Sequence, residues 1–397
     1  MKNYLRLLLL IVAITCLNCA NNTSADSLPT PEPASTPQIF KAEAKIGVGG
    51  SNNAAKITET IFNAAENNRK IYFVDKEMGW LISDAGNLYK TENSGKNWTK
   101  ISLKVEKGAS INTVVFANQS VGWLNIQKTG DVNENDTKSW LMKTVDGGKI
   151  WQPLSIQNFT EIDDVFFKDE KNGWLIGETN NPENVYDGEN FLRKTTDGGI
   201  SWTEIGDSLY NQNGFEDSDA RQTITGFIAE TPEKLKVVIW SGKMFETIDG
   251  GKSWQKFGPQ FDFPDQTVPD NFGKLGNSDR LRMARGTWSI EGIYSYFATE
   301  KNGDWTIRWL DEALCVYDVL FPTENEMIAV GRFGENIYQK NEKIYGVVLY
   351  SSDAGANWKI IYRDKNNSGI NSISKIAENQ YMAVGDKGLI VNINLAK

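Results

Sequence analysis

The phrase KTVDGGKIW, Lys143 to Trp151, returns as KTTDGGISW and again as ETIDGGKSW. Written as Ser/Thr-x-Asp-x-Gly-x-x-Trp, it recurs twice more, over residues 91–98 with Asn93 in place of the aspartate and over residues 351–358. Trp98, Trp151, Trp202 and Trp254 are evenly spaced, the step to Trp358 is two periods long, and Trp305 in TEKNGDWTIRW falls at its midpoint. With Trp305 the intervals are 53, 51, 52, 51 and 53 residues. A period near 50 filled with short strands predicts a radial repeat, a propeller in which each unit is one four-stranded blade.

Each unit reads that way. KIYFVD, GWLIS, NLYKT and NWTKISL follow one another in the first, with Gly, Asn and Asp between the apolar runs as strand punctuation. The repeated turn therefore lies between the third and fourth strands. Six units reach about residue 361, and SISKIAENQYMAVGDKGLIVNINLAK then supplies three more strands before the chain stops. An unfinished blade would expose an unpaired edge. ITETIF, residues 57–62, stands ahead of the first unit where a fourth strand belongs, so the sequence predicts an all-β, seven-bladed ring closed by an N-terminal strand.

The fixed positions of the phrase have a structural purpose. An Asp or Asn carbonyl oxygen accepts backbone N–H groups in a tight turn, a Ser or Thr hydroxyl adds another bond, and Gly tolerates φ > 0. The tryptophan is expected to bury its ring against the next blade. Asn93, Asp146, Asp197, Asp249 and Asp353, with Trp98, Trp151, Trp202, Trp254 and Trp358, are thus read as fasteners. Spread around a rim, they lack the convergence that catalysis needs. The pairs Gly79-Trp80, Gly122-Trp123 and Gly173-Trp174 read as packing positions on second strands.

Charge and composition narrow the function. A net charge of −9 without clustered Lys and Arg argues against nucleic acid. There are no histidines, so Ser-His-Asp and Cys-His chemistry lacks its base and zinc its commonest ligand. No catalytic residue, metal or cofactor is expected, and the fold is read as a monomer.

The combination F-x-D/N-x-x-x-GW, in FVDKEMGW, FANQSVGW and FKDEKNGW, followed in each unit by K-T-x-D/N-x-G-x-x-W, resembles the Asp-box, or bacterial neuraminidase repeat. More narrowly, it resembles the seven-bladed photosystem II stability and assembly factor family, over residues 55–397. The resemblance implies a non-catalytic module that binds a membrane protein on the lumenal or periplasmic side through a basic patch. Arg280, Arg282, Arg285 and Arg308 gather in the fifth unit and are the candidates for that patch. Departures are the insertions QKTGDVNENDTKSW and NNPENVYDGENF and a fifth unit without a clean turn phrase. Asp-box propellers also occur among glycosidases of sialidase and xyloglucanase type, where a carboxylate pair suffices. That is the alternative reading, although the sialidase Phe/Tyr-Arg-Ile-Pro signature is absent.

At the N-terminus, MKNYLRLLLLIVAITCLNCA carries Lys2 and Arg6 ahead of an apolar run from Leu7 to Ile14, as a secretory signal does. Cys16 or Cys19, directly after it, resembles the acylated cysteine of a bacterial lipoprotein. The Ser, Thr and Pro of NNTSADSLPTPEPASTPQ predict an extended spacer. The expected organisation is a signal over residues 1–19, a tether over 20–40 and the propeller over 41–397. That places an exported, membrane-anchored domain facing periplasm, lumen or cell exterior. Cys315, in an apolar run, is expected to be a buried small hydrophobe.

Two further features belong to possible sites. Asp164 in DDVFF and Asp318 in YDVLF match each other at the start of first strands, where a channel mouth would lie. Residues 261–288 read as a long irregular insertion with aromatic and arginine residues, and so as a partner-binding lobe. NGFEDSDAR, residues 213–221, reads as a solvated connection.

Overall fold

The computed structural model describes residues 39–43, 45–47, 55–128, 138–154, 161–179, 189–212, 224–239, 243–258, 274–275, 282–289, 292–301, 304–310, 314–333, 345–366 and 368–396. Apart from a helix at Asp207–Gln212 and a 3-10 turn at Asp386–Gly388, their regular structure is all strand. The strands form seven separate sheets. These are the blades of a propeller.

Blade 1 runs Asn68–Phe73, Gly79–Ser83, Leu88–Thr91 and Thr99–Ile101, each antiparallel to the one before. Blades 2, 3 and 4 repeat it, beginning at Ser110–Phe116, Glu161–Phe167 and Ile224–Ala229. Blade 6 begins at Leu314–Leu320 and blade 7 at Ile370–Ala377. First strands touch between blades 1 and 2, 2 and 3, 4 and 5, 6 and 7, and 7 and 1, which makes them the inner strands of the ring.

The ring closes as the sequence predicts. Ala55–Ile61 lies antiparallel to Leu389–Leu395, with Ile57 opposite Ile393 and Ile61 opposite Leu389, and completes blade 7. Upstream, the chain adds strands that composition does not reveal. Ile39–Glu43 pairs parallel to Asp304–Trp309 as a fifth strand of blade 5, and Lys45–Gly47 does the same for Asn357–Arg363 of blade 6. Ile39 and Phe40, read from their neighbours as the end of the tether, are therefore strand residues. Backbone pairing costs no particular side chain, so a Pro-flanked segment gives no warning of it.

Each turn phrase fastens itself. In blade 2 the Thr144 hydroxyl donates to Asp146 (2.8 Å) and accepts the Gly148 N–H (2.9 Å), while Asp146 Oδ1 accepts the N–H groups of Lys149 and Ile150, both at 3.0 Å. Gly148, at φ 83°, occupies a backbone conformation that other residues enter at a cost. Asp197, Asp249 and Asp353 repeat the arrangement, and Asn93 does so with its amide oxygen. The hydroxyl and N–H of Ser253, with the Thr247 hydroxyl, hold the Asp249 carboxyl down at about 2.

The ring of each fastening tryptophan packs against the preceding blade, the reverse of the expected direction. Trp151 of blade 2 meets Trp80 of blade 1 edge-on at 6.0 Å, with Phe116 stacked on Trp80 at 5.1 Å. Trp202 reaches Phe167, which stacks on Trp123 of blade 2, and Trp98 reaches Phe62 at the closing seam. The cause is the turn itself: it folds the tryptophan back over its own blade's first strand, whose outer side faces the blade before. An indole that removes about 200 Å² from water contributes on the order of 5 kcal/mol before entropy is counted. Trp80, Trp123 and Trp174 are fully buried, as the GW pairs predict, and so is Cys315.

Blade 5 departs from its neighbours. Lys301 pairs with Asp304, which leaves Asn302 and Gly303 between the third and fourth strands, and Trp305 still opens the fourth strand in a buried position. The predicted insertion over 261–288 is partly blade. Lys274–Leu275 and Arg282–Ser289 are its first and second strands.

Candidate binding site at one mouth of the ring

Strand direction gives the two ends of the ring different loops. First strands begin, and fourth strands end, at the end that also carries the connections between second and third strands. The opposite end carries the repeated turns and the connections between first and second strands. At the repeated-turn end no connection exceeds the seven residues of the turn phrase, as from Thr144 to Gln152. At the other end the chain spends residues 129–137, 180–188, 213–223, 259–273 and 334–344 between strands.

At this loop-rich end, the first strand of six blades breaks register against the second. The breaks fall between Asn68 and Lys70, Ile111 and Thr113, Ile162 and Asp164, Ile224 and Gly226, Val316 and Asp318, and Ile370 and Ser372. Each leaves one residue out of the ladder: Arg69, Asn112, Asp163, Thr225, Tyr317 and Asn371. Such a bulge re-aims a side chain, and here it does so at equivalent places around the mouth. In blades 3, 6 and 7 a glycine, Gly177, Gly331 or Gly385, stands opposite the bulge. A Cβ on Gly331 would sit 1.9 Å from the Cys315 carbonyl oxygen and one on Gly385 2.1 Å from that of Gly369.

Three of these residues, Asn371, Arg69 and Asn112, join one blade to the next. Asn371 donates to the Asn68 carbonyl and to Asp386 Oδ1, both at 3.0 Å. Arg69 donates to Asn112 Oδ1 (3.1 Å) and to the Ile111 carbonyl, and Asn112 donates at 3.5 Å to the Asp163 carbonyl. Arg332 pairs with Asp386 at 2.7 Å, and its guanidinium lies 5.7 Å from the Tyr317 ring centroid. Blades 6, 7 and 1 thus present charges that are matched.

Blade 3 presents carboxylates. Glu161, Asp163, Asp164 and Glu178 cluster there, with Gln127 donating to Glu161 at 2.7 Å. Asp163 is half-buried, but its Oδ2 is fully enclosed and has no hydrogen-bond partner among the described residues. Burial first, then the charges of Glu161, Glu178 and Asp164, push its pKa up to about 7. Among the described residues no group of His, Cys, Asp and Glu is arranged to hold a metal ion.

Asp164 and Asp318 do occupy matching positions, each directly after its bulge, and each accepts the next residue's N–H, at 2.9 and 2.8 Å. Asp318 also accepts the Ser372 hydroxyl and the Ile373 N–H, both at 3.0 Å, and so ties blade 6 to blade 7. The arginines of the fifth unit are divided. Register puts Arg282 and Arg308 at positions on one face of the blade 5 sheet and Arg285 on the other, while Arg280 lies outside the described residues, as do Cys16 and Cys19. Arg308 is half-buried and donates to Thr299 at 3.3 Å. Arg69, Asp163, Arg332 and Asp386 were not legible as a site, since a bulge has no compositional mark and Arg332 meets Asp386 across 54 residues of chain. The only sequence hint is a charged residue after a glycine late in the second strand, in LIGE, AVGR and AVGD.

Comparison with solved structures gives the same architecture. A structure of YCF48 bound to a D1 peptide matches with a TM-score of 0.57 at 15% identity, covering 87% of this chain and 96% of that one. YCF48 from Cyanidioschyzon merolae matches at 0.55 and 15%, over 85% and 98%. The chain has their fold. The Niastella koreensis GH74 enzyme matches at 0.55 and 14% identity over 82% of this chain, which spans only 52% of the enzyme. No family model matches the chain, and neither does any curated protein.

Proposed function

We propose that this chain is a non-catalytic, extracytoplasmic propeller, anchored by acylation of Cys16 or Cys19, that holds a polypeptide segment of a membrane or periplasmic partner at its loop-rich mouth. The observation that carries the reading is the ring of bulged residues on the same side as every long connection. Regular strands hold polar groups in fixed register there while the loops around them are free to vary. Similarity to YCF48, itself seen with a D1 peptide, favours a polypeptide as the ligand. The carboxylates of blade 3 suit lysine or arginine side chains of the partner. Arg332 suits a carboxylate. Arg282 and Arg308 on blade 5 are a separate basic contact away from the mouth, since Arg282 begins a second strand at the repeated-turn end and Arg308 lies within electrostatic reach of Asp353 in the blade 6 turn. The repeated turns are read as Asp-boxes with a purely structural role.

Photoreactive residues at Asn112 and Tyr317, on the mouth, and at Thr196, on the opposite end, test the proposal in intact membranes. A protein captured from the mouth positions and not from 196 is the expected result. Equal capture, or capture from 196 alone, overturns it.

A glycosidase reading has one observation in its favour. Asp163, held protonated up to about pH 7, has the property of a general acid. Asp318 does not fit as its partner, because hydrogen bonds occupy its carboxylate. Turnover of xyloglucan or sialosides that disappears in Asp163→Asn would decide for the enzyme.

A further inference from the structure

The turn phrase fixes four of its eight positions; the fourth holds only Gly, Ser or Ala, and the second, sixth and seventh vary freely. In blade 1 these hold Glu92, Lys96 and Asn97, and in blade 6 Ser352, Ala356 and Asn357, all polar or small. Blades 2, 3 and 4 place aliphatic side chains there instead. Val145 is 69% exposed, Ile150 62%, Ile200 70% and Ile248 68%, and Ile61 is the only other exposed large hydrophobic residue among those described. Single exposed apolar residues are ordinary on any surface. Four at the spare positions of three consecutive turns, all at one end of the ring, form an array.

We propose that this array is a membrane-contact surface: the repeated-turn end of blades 2 to 4 rests on a lipid bilayer with Val145, Ile150, Ile200 and Ile248 entering its interfacial layer. Isolated aliphatic tips on one side of a flat ring match a fluid plane, whereas a protein hot spot needs an enclosed, contiguous pocket. Lys149 and Lys252, exposed beside the tips, can lay their methylenes along the interface and keep their charges among headgroups. The chain's own path agrees. Ile39 pairs with Trp305 at the repeated-turn end of blade 5, so the polypeptide that carries the apolar run from Leu7 to Ile14 connects to the ring at that end. The loop-rich mouth then faces away from the bilayer, toward a partner. This deepens the anchored reading and rests on it for the direction in which the membrane lies.

The test uses the full chain with Cys16→Ser and Cys19→Ser, so that no acyl group is present. One environment-sensitive fluorophore is placed on a cysteine substituted at position 150, 200 or 248, or at 352 as a control on the same end. The protein is mixed with vesicles of phosphatidylcholine and phosphatidylglycerol carrying nitroxide lipids. The expected result is a blue shift and quenching at 150, 200 and 248 and none at 352. The variant V145T/I150S/I200S/I248S should reduce vesicle partitioning at least about tenfold. Probes that stay in water at all three positions, whether the protein binds vesicles or not, overturn the proposal, and so does an unchanged partition of the variant. The mass of the mature N-terminus of the wild type reads the anchor separately. An unacylated N-terminus with quenched tips removes the anchor and keeps the surface, while an acylated one with tips in water does the reverse.

Discussion

The two ends of the ring are made from the same strands by opposite rules. At the repeated-turn end every connection is short, and each turn satisfies its own backbone N–H groups with one Asp or Asn and one hydroxyl. At the mouth the connections are long and unlike one another, and the hydrogen bonds run between blades: Asn371 to Asn68, Arg69 to Asn112, Asp318 to Ser372. Blades are bonded to one another at both ends, as Trp123 Nε1 to the Gly198 carbonyl and Lys194 to the Pro232 carbonyl show at the repeated-turn end, but one end repeats and the other varies. A site can be grafted onto the second without disturbing the first, which is what a repeat scaffold offers.

That contrast presumes a closed ring, so the most damaging change should be the loss of closure. Removing residues 1–61 deletes the fourth strand of blade 7 and bares its edge. The expected cost is several kcal/mol, a large part of a stability margin of about 5–15 kcal/mol, measured by denaturant unfolding. An unchanged midpoint would show that Ala55–Ile61 does not hold the ring.

Next in size is a paired comparison across the two ends. Trp151→Ala empties a space between blades 1 and 2 and should cost about 3–5 kcal/mol. Replacing residues 129–137 with a two-residue Asn-Gly turn at the mouth should move stability by no more than about 0.5 kcal/mol. Equal losses in thermal unfolding would erase the distinction between the ends.

A single fastener is worth less. Asp249→Ala loses its accepted bonds from Thr247 and Ser253 and should cost about 1–2 kcal/mol. Its carboxyl is held near 2 in the fold against 3.8 in the unfolded chain, so the stabilisation is present above about pH 4 and is lost as pH falls toward 2. Unfolding midpoints of wild type and variant should therefore converge in acid. Parallel curves across that range would contradict the fastening role.

At the mouth the pH dependence has the opposite sign. Asp163 has its pKa raised from 3.8 to about 7, so the folded chain holds a proton that the unfolded chain releases, and stability declines as pH climbs from about 4 to 7. Asp163→Asn should flatten that part of the profile and leave the acid limb untouched. A slope that persists in the variant would mean that the carboxyl is not enclosed as described.

Much of the scaffold was readable in advance because its instructions are local. Eight residues contain everything a turn needs, and repetition at a constant interval reports a constant blade, even where blade 5 keeps only Trp305. Closure was readable because the C-terminal strands lack a partner that ITETIF could supply. The strands at 39–47 were not, since a parallel strand on an exposed edge needs only backbone. The burial of each tryptophan against the preceding blade also escaped the sequence, which records that an indole is to be buried and says nothing of the side from which the covering surface comes.

The sequence by itself determined the number of blades, their strand order, their fasteners and the strand that seals them, because each depends on contacts within a unit or on a count of units. Only the tertiary structure decided which residues meet at the mouth. Arg332 finds Asp386, and Asp318 finds Ser372, because bulges and ring curvature bring separate blades together, and no local pattern encodes the angle at which two sheets pack.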